Sequence, residues 1–360
     1  MDSLTHLVAG ALTPMAFKNA PKTRMMILFG IICGEFPDID VIAGKTPEAI
    51  LAFHRGATHA LAAQPLFALL LALVFHRLIK KGDAAGTWTF AKTWSVALAA
   101  LLIHLFLDSM TTFGTQIFLP FSDLRVALPA MYIIDLAMTL PLLAVLGIIL
   151  AKGGLSPANP APEKARTRLA RGGLVWLVAY PLLALGLNYG LASHLTREYA
   201  GRGNKEGITR VELSPEPFAP LNWKFIGIAP DAYYMGRYFL LSPGRDIPLT
   251  AYARPDGLFE KAREAIPLFR LFDKFATYAF ETVGKDGSDT VHTFADVRYE
   301  ATLPALMNAL GRGDGIFLMQ IKTRDGDLAA YRFLYRGRDA ATTQWEPVPK
   351  AMADARKPLP

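Results

Sequence analysis

The stretch that decides the fold is TWSVALAALLIHLFLDSMTTF, residues 93–113. As a helix it is long enough to cross the roughly 30 Å hydrocarbon core of a bilayer, and it contains no Lys, Arg or Glu. Two ionisable side chains, His104 and Asp108, stand inside it. Ionisable groups in a membrane segment are costly and usually mark a functional site. The stretch therefore predicts a membrane protein and the place where its chemistry lies.

Other apolar runs surround this stretch. Thr58–Leu78, Met131–Ala151 and Gly172–Leu191 are also of spanning length, whereas Leu4–Phe17 and Met25–Gly34 are shorter. Short apolar segments of this kind are typical of tilted or re-entrant elements. We therefore expect a membrane all-α helical bundle with four clear spans plus a short N-terminal hairpin.

The density of charge changes near residue 194. Residues 1–194 hold 15 Lys/Arg and 10 Asp/Glu, about 13% charged, and residues 195–360 hold 23 and 21, about 27%. The second value is typical of a soluble domain. This half alternates strand-like runs with turns and has one amphipathic pattern over residues 256–271, which predicts a helix. We expect a membrane-embedded domain over 1–194 and a soluble α+β or mostly β domain over 195–360.

Basic residues predict the orientation. Connections 18–24, 77–92 and 152–171 hold twelve Lys/Arg, and connections 35–57 and 114–130 hold three. By the positive-inside rule the first group faces the cytoplasm. The N-terminus, the other two connections and everything after residue 191 then lie on the outer side. The net charge of +7 therefore reports topology, and no nucleic-acid partner is expected.

Ionisable residues of the first half gather at the outer ends of the predicted segments. They are His6, Asp38, Asp40, His54, His59, His104, Asp108 and Asp135. His104 and Asp108 are one helical turn apart, so they share a face and can bind one metal ion. Histidine and aspartate without thiolates suit zinc or manganese, in a catalytic site with an open position for water. The lone cysteine, Cys33, excludes an internal disulfide and a cysteine-cluster zinc site.

Several short motifs carry a family resemblance. They are MDSLTH (1–6), PDID (37–40), HRGATH (54–59), the His104-x3-Asp108 pair, GT (114–115), PF (120–121) and ID (134–135). Together they make residues 1–190 resemble the YdjM/YbcI-type family of inner-membrane, metal-dependent hydrolases. The order of the ligands is in turn similar to that of zinc-dependent phospholipase C and single-strand nucleases, which cleave phosphodiesters at a multi-zinc site.

The resemblance implies a metal-dependent hydrolase domain over residues 1–194. We expect no second His-x3-Glu/Asp helix to complete a three-metal cluster, so it implies one or two ions. Asp135 is a substitute ligand or a partner of a ligand. The expected metal ligands are His6, Asp38, Asp40, His54, His59, His104 and Asp108, holding zinc or, as the alternative, manganese.

The expected chemistry is metal-assisted hydrolysis. A divalent cation lowers the pKa of its water towards 7 and neutralises charge on a phosphoryl or carbonyl oxygen. Asp38 or Asp40 could instead serve as general base. Arg55 could hold an anionic substrate oxygen, or contact a lipid headgroup. Arg125 is a weaker candidate for the same role.

Counted from Thr93, His104 lies near mid-bilayer and Asp108 about 6 Å nearer the outer surface. A site at this depth favours an amphiphilic substrate, such as a phospholipid or another lipid-linked phosphoester. The expected partners are the lipid bilayer and a lipid or lipid-linked substrate, and the sequence does not identify a protein partner. We expect a multi-pass protein of the bacterial inner membrane with a periplasmic C-terminal domain. The alternative is a metal-ion transporter or sensor built on the same cluster, although transporters usually carry inverted repeats and none is visible here.

Overall fold

A computed structural model describes residues 1–21, 23–43, 46–152, 163–201, 206–242, 247–303, 317–335 and 343–349. Some residues used in the topology argument, Lys22, Lys45 and 153–162, lie outside the described residues.

The first half is helical. Its described helices are α1 (Ser3–Met15), α2 (Arg24–Glu35), α3 (Asp40–Ala43), α4 (Pro47–Phe53), α5 (Gln64–Lys80), α6 (Phe90–Ser109), α7 (Leu136–Ala151) and α8 (Glu163–Gly201). Three helical segments are long and apolar enough to cross a membrane: Leu61–Lys80, Phe90–Ser109 and Glu163–Ala200. The expected bundle is thus confirmed for three spans.

The fourth expected span, Met131–Ala151, is shorter as a helix. Asp135 accepts a hydrogen bond from the Met138 amide and caps α7, so the helix begins at Leu136. An N-cap residue has non-helical backbone angles, so the helix does not extend further towards the N-terminus. Its 16 residues place α7 among the shorter apolar helices.

The expected N-terminal hairpin is formed by α1 and α2, which cross at glycines. A Cβ atom at Gly30 would lie 2.2 Å from the Gly10 carbonyl oxygen, and one at Gly34 would lie 2.9 Å from the His6 carbonyl oxygen. Such distances are possible only without side chains. The close approach places Gly34, at the end of α2, beside His6, near the start of α1.

Helix α8 continues from the apolar region into the second half. Its 39 residues extend about 58 Å at 1.5 Å per residue, far more than a bilayer core requires. Asn188 donates hydrogen bonds to the carbonyl oxygens of Pro129 and Leu213, and Thr196 accepts one from the Val211 amide. The predicted boundary at residue 194 falls inside this helix and stays a prediction.

The second half is rich in β-sheet. One described antiparallel sheet has the order β1 (Arg210–Pro215), β2 (Asn222–Ile228), β3 (Ala232–Phe239) and β4 (Thr250–Ala253). The other has the order β5 (Ala279–Asp286), β6 (Asp289–Asp296), β7 (Phe317–Arg324), β8 (Asp327–Tyr335) and β9 (Glu346–Pro347). The helix expected over 256–271 is divided into α9 (Gly257–Ala265) and α10 (Pro267–Phe275). Pro267, which has no amide proton, starts the second helix.

The two halves pack together at one end of the bundle. A phenylalanine-rich core of the second half, which includes Phe269 and Phe294, also contains Leu51 of α4. Arg298 donates a hydrogen bond to the Thr112 carbonyl oxygen at 2.9 Å, and Lys274 pairs with Asp123 at 2.9 Å. The second half therefore lies at the same end as connections 35–57 and 114–130.

Candidate metal centre

Four side chains converge at this end of the bundle. Asp38, His59, His104 and Asp108 each offer one ligand atom, and these atoms lie within 4.8 Å of one another. The Nε2 atoms of His59 and His104 are 3.1 Å apart and lie 3.3 and 3.4 Å, respectively, from Asp108 Oδ2. Asp38 Oδ1 is 3.5 and 3.6 Å from them. Ligand atoms bound tetrahedrally at 2.0–2.1 Å from zinc are about 3.3 Å apart, so the cluster has the spacing of a metal site.

The helix α6 and two turns place these residues. His104 and Asp108 lie one turn apart on α6. Asp38 lies in a 3₁₀ turn over Phe36–Ile39, with Pro37 in its first turn, and His59 ends another over Ala57–His59. Proline is favoured at the start of a helical turn because its missing amide proton would be unpaired there.

Hydrogen bonds determine which nitrogen of each imidazole faces the cluster. His104 Nδ1 donates to the Gly34 carbonyl oxygen at 2.6 Å. Thr58 Oγ1 donates to Asp40 at 2.8 Å and can accept from His59 Nδ1 at 3.0 Å. With both rings neutral, both Nε2 atoms then carry lone pairs, which repel at 3.1 Å unless a proton or a metal ion lies between them. Metal-binding histidines in proteins have this arrangement, with the second ring nitrogen donating to an oxygen.

Unpaired oxygens face the same point. Asp38 Oδ1 and Asp108 Oδ2 are buried and have no hydrogen-bond partner. A buried acceptor without a partner costs about 1–3 kcal/mol, and a bound cation would remove that cost. Two imidazole nitrogens and two carboxylate oxygens are ligands that a divalent zinc ion accepts. The residues present therefore fit a metal ion.

The electrostatics of the turns agree with this fit. Burial lowers the pKa of His59, but the nearby carboxylates of Asp108, Asp38 and Asp40 outweigh burial and raise it to about 10. Burial raises the pKa of Asp38, but the imidazoles of His104 and His59, 3.6 and 3.5 Å from its Oδ1, outweigh burial and lower that pKa below its usual range. The cluster is thus electronegative and attracts a positive charge at His59, from a proton or a metal ion.

The second oxygen of Asp108 is held by cations and a histidine. Arg55 Nη2 lies 2.9 Å from Asp108 Oδ1, His6 Nε2 lies 3.2 Å from it, and the Met1 amino group also contacts it. Arg55 is buried and adopts a φ of +59°, a conformation that is uncommon outside glycine and often found at functional sites. Its Nη1 donates to Thr111 at 2.8 Å. Arg55, expected to hold a substrate oxygen, therefore contacts a candidate ligand in the structure.

A second, more exposed group adjoins the first. Asp38, Asp40 and His54 also bring ligand atoms within 4.8 Å of one another. His54 Nδ1 lies 2.9 Å from Asp40 Oδ1, and Asp40 Oδ2 accepts from the Arg55 amide at 3.0 Å. The side chains of His54 and Asp38 are 20% and 22% exposed. This group could hold a second ion, while Asp40 also orders the turn that carries His59.

Two expected site residues lie outside both groups. His6 stacks on His104 with ring centroids 3.9 Å apart. Its Nε2 contacts Asp108 Oδ1, which is not the oxygen that faces His59 and His104. Both oxygens of Asp135 accept from the Tyr180 hydroxyl at 2.9 Å. Asp135 therefore caps α7 and anchors α8 rather than completing the cluster.

A second His-x3-Glu pair, which the sequence analysis did not identify, lies on a helix. His194 and Glu198 have that spacing on α8, with His194 Nε2 3.9 Å from Glu198 Oε2. The His194 side chain is 65% exposed, and among the described residues this pair belongs to no group that could hold a metal. The described residues offer two adjoining groups, Asp38–His59–His104–Asp108 and Asp38–Asp40–His54, each of which could hold a metal ion.

Two contributors were not identified from the sequence. Gly34 provides a backbone carbonyl oxygen, which no side-chain pattern reveals. Glu35 interacts electrostatically with Asp38 and Asp108, and its Oε1 is buried without a hydrogen-bond partner. The available signal was a carboxylate directly after the apolar run Met25–Gly34.

A curated relative and a family model match the chain. Over 161 residues the chain is 26% identical to the uncharacterized protein YfhP of Bacillus subtilis (strain 168). The matched region covers 42% of this chain and 47% of YfhP. The chain thus spans about half the length of the curated relative that it matches. No solved structure matches the chain significantly.

A family model described as YdjM inner membrane protein matches residues 1–194. This match includes every candidate metal ligand and more than half of the chain. The chain therefore belongs to the YdjM inner membrane protein family.

Proposed function

We propose that the chain is a membrane-bound, metal-dependent hydrolase that acts on a phosphoester of an amphiphilic, lipid-linked substrate. The observation that carries this proposal is the pair of Nε2 atoms of His59 and His104, 3.1 Å apart, next to two unpaired carboxylate oxygens. Such an arrangement is costly unless a proton or a metal ion lies between these atoms, and its spacing suits a catalytic metal.

The proposed ligands are Asp38, His59, His104 and Asp108, with zinc as the first candidate and manganese as the second. A divalent cation held there would supply an activated water and stabilise negative charge on a phosphoryl oxygen. Arg55 and His6 fix the orientation of Asp108. Asp38, whose side chain is partly exposed, is the proposed ligand within reach of solvent.

The rim of the site supports a substrate with an apolar part. Exposed apolar side chains flank Asp38, Asp40 and His54: they are Ile39, Val41, Ile42 and Phe53, with Ile42 71% exposed. Contiguous exposed apolar side chains are typical of membrane or ligand contacts. They would admit the acyl chains of a lipid while its polar part reaches the cluster.

The location follows from the basic connections. We propose that α7 is the fourth span, since a short apolar helix can be accommodated by local thinning of the bilayer. The clustered Lys and Arg residues would then face the cytoplasm. The second half, which packs beside the candidate site, would lie in the periplasm.

Replacement of Asp108 tests the proposal most directly. Full-length protein purified in detergent is expected to contain one or two equivalents of metal by elemental analysis and to hydrolyse a phospholipid or phosphodiester substrate. Asp108→Asn should lose both. The matched control is Asp135→Asn, because Asp135 is equally buried but belongs to neither group, and it should keep its metal.

Two results would decide against the hydrolase. Metal-free wild-type protein would remove the basis of the proposed chemistry. Transport of zinc into proteoliposomes that Asp108→Asn abolishes, with no hydrolysis by either protein, would favour the transporter. Loss of hydrolysis with unchanged zinc flux would support the enzyme.

A further inference from the structure

A cavity of about 390 Å³ lies where the two halves meet. Its wall includes Phe113, Asp123 and Arg125 from the first half and Lys274, Phe275 and Arg298 from the second. The volume is within the range of small-molecule sites. None of the candidate metal ligands lines it, so it is separate from the cluster.

The charges around this cavity are unbalanced. Arg298 pairs with Asp296 at 2.7 Å, and Lys274 pairs with Asp123 at 2.9 Å. Arg125 donates to the carbonyl oxygens of Leu51 and His54 at 2.9 and 3.4 Å. Within the described part of the chain it forms no ion pair with a carboxylate.

Arg125 is nevertheless only partly exposed, and charges that are taken out of water are normally paired. Its guanidinium carbon lies 5.9 Å from the Phe113 ring centroid and 6.0 Å from that of Phe275. These rings hold the guanidinium in place but do not neutralise it. Two of the five N–H groups of the Arg125 guanidinium donate to carbonyl oxygens. The other three lie in the same plane, and this planar fork matches the spacing of phosphate oxygens.

The cavity is connected to the candidate metal centre through Arg55. The Arg55 guanidinium carbon lies 5.2 Å from the ring centroid of Phe113, which lines the cavity, while Arg55 Nη2 binds Asp108. Arg125 itself donates to the backbone of His54. A ligand in the cavity would therefore lie beside the turn that carries the cluster.

We propose that this cavity is a binding subsite for a phosphate-type anion, with Arg125 as its principal ligand and Lys274 as a second cation. In the proposed hydrolase, the subsite would hold an anionic group of the substrate next to the bond that is cleaved. This reading rests on the proposed function, but the binding of the anion does not require hydrolysis. The anion can be the headgroup of a membrane lipid or free phosphate.

The test measures inorganic phosphate binding to the full-length protein, as purified in an uncharged maltoside detergent, by isothermal titration. Arg125→Gln is expected to weaken binding at least fivefold. Lys274→Gln should weaken it about twofold, and Asp123→Asn should strengthen it about twofold. The side chains of Lys274 and Asp123 are 69% and 67% exposed, so their replacement should leave the fold intact.

Arg254→Gln is the matched control. Arg254 also donates to two carbonyl oxygens, those of Ala229 and Pro230, and lies 5.1 Å from the Tyr233 ring centroid, but it does not line the cavity. It should bind phosphate like the wild type. Equal phosphate affinity in wild type, Arg125→Gln and Asp123→Asn would overturn the subsite, even if the protein binds metal and hydrolyses lipid.

Transfer into phosphatidylglycerol nanodiscs distinguishes the two sources of the anion. If a lipid headgroup occupies the subsite, added phosphate should no longer bind in the nanodiscs. If the ligand is free phosphate, its affinity should be the same in detergent and in nanodiscs. Either result supports the subsite provided that binding in detergent depends on Arg125. A metal-free protein whose phosphate binding still depends on Arg125 would contradict the hydrolase and leave the subsite standing.

Discussion

The chain contains two histidine–aspartate pairs with the same spacing in two different regions. His104 and Asp108 lie on α6, and His292 and Asp296 lie on β6. On the helix, His104 Nε2 comes within 3.4 Å of Asp108 Oδ2. Residues four apart on a strand are separated by about 13 Å along the chain. The same spacing therefore brings two ligands together in one region and keeps them apart in the other.

The strand pair has ordinary partners. His292 Nδ1 lies 2.6 Å from Glu281 and its Nε2 lies 3.2 Å from Thr323 Oγ1. Asp296 accepts from the Thr277 amide and pairs with Arg298. In contrast, the helix pair leaves Asp108 Oδ2 without a hydrogen-bond partner. Incomplete hydrogen bonding in a buried cluster is what separates a candidate metal site from a structural network.

The largest expected effect is the loss of metal affinity when His104 is replaced by alanine, compared with the same replacement of His292. His104→Ala removes one of four converging ligands, so metal affinity should fall by more than the ~10–100-fold typical of residues that only support a ligand. His292→Ala should leave the metal content unchanged. Elemental analysis after dialysis of both purified variants measures the difference.

Equal metal content in these two variants would break the comparison. It would mean that the helix pair, despite its geometry, does not bind the ion. A loss of metal in His292→Ala alone would transfer the candidate site to the second half.

The next effect concerns stability in the strand region. Asp296→Asn leaves Arg298, whose side chain is only 9% exposed, without a charged partner. Breaking a buried ion pair in this way costs about 3 kcal/mol. Asp286→Asn is the control, because Asp286 pairs with Lys322 while 60% exposed, and surface pairs contribute less than about 1 kcal/mol.

Thermal unfolding of the detergent-purified variants, followed by circular dichroism, compares these two costs. Metal content should be normal in both variants. A loss of metal in Asp296→Asn would show that the contact between Arg298 and the Thr112 carbonyl oxygen also orders the metal centre.

Much of the site could be predicted from the sequence because its ligands are chemically distinctive. His104 and Asp108 were identified from helical spacing, and Asp38 and His59 from short motifs in turns. Apolar length also gave three spans correctly. Apolar length overestimated the helix at Met131–Ala151, which the Asp135 cap shortens, because hydropathy does not register where a helix begins.

Other features depend on contacts that no local pattern encodes. The role of Arg55 follows from its ion pair with Asp108, 53 positions away in the sequence. The placement of Asp135 against Tyr180 depends on how α7 packs on α8. Likewise, the contact between Arg298 and the Thr112 carbonyl oxygen, which joins the two halves, cannot be read from either half of the sequence alone.

The smallest expected effect tests how a backbone group supports the helix pair. Gly34→Ala would place a Cβ atom 2.9 Å from the His6 carbonyl oxygen and 3.1 Å from Gly10 Cα, so α1 and α2 must move apart. The Gly34 carbonyl oxygen, which holds His104 Nδ1 at 2.6 Å, would shift with them. Loss of such a supporting hydrogen bond should weaken metal binding about tenfold, as measured by competition with a chelator. Gly147→Ala, where a Cβ atom meets nothing within 4 Å, should bind like the wild type. If Gly34→Ala lowered thermal stability but kept its full metal affinity, the carbonyl would serve only the packing of the hairpin.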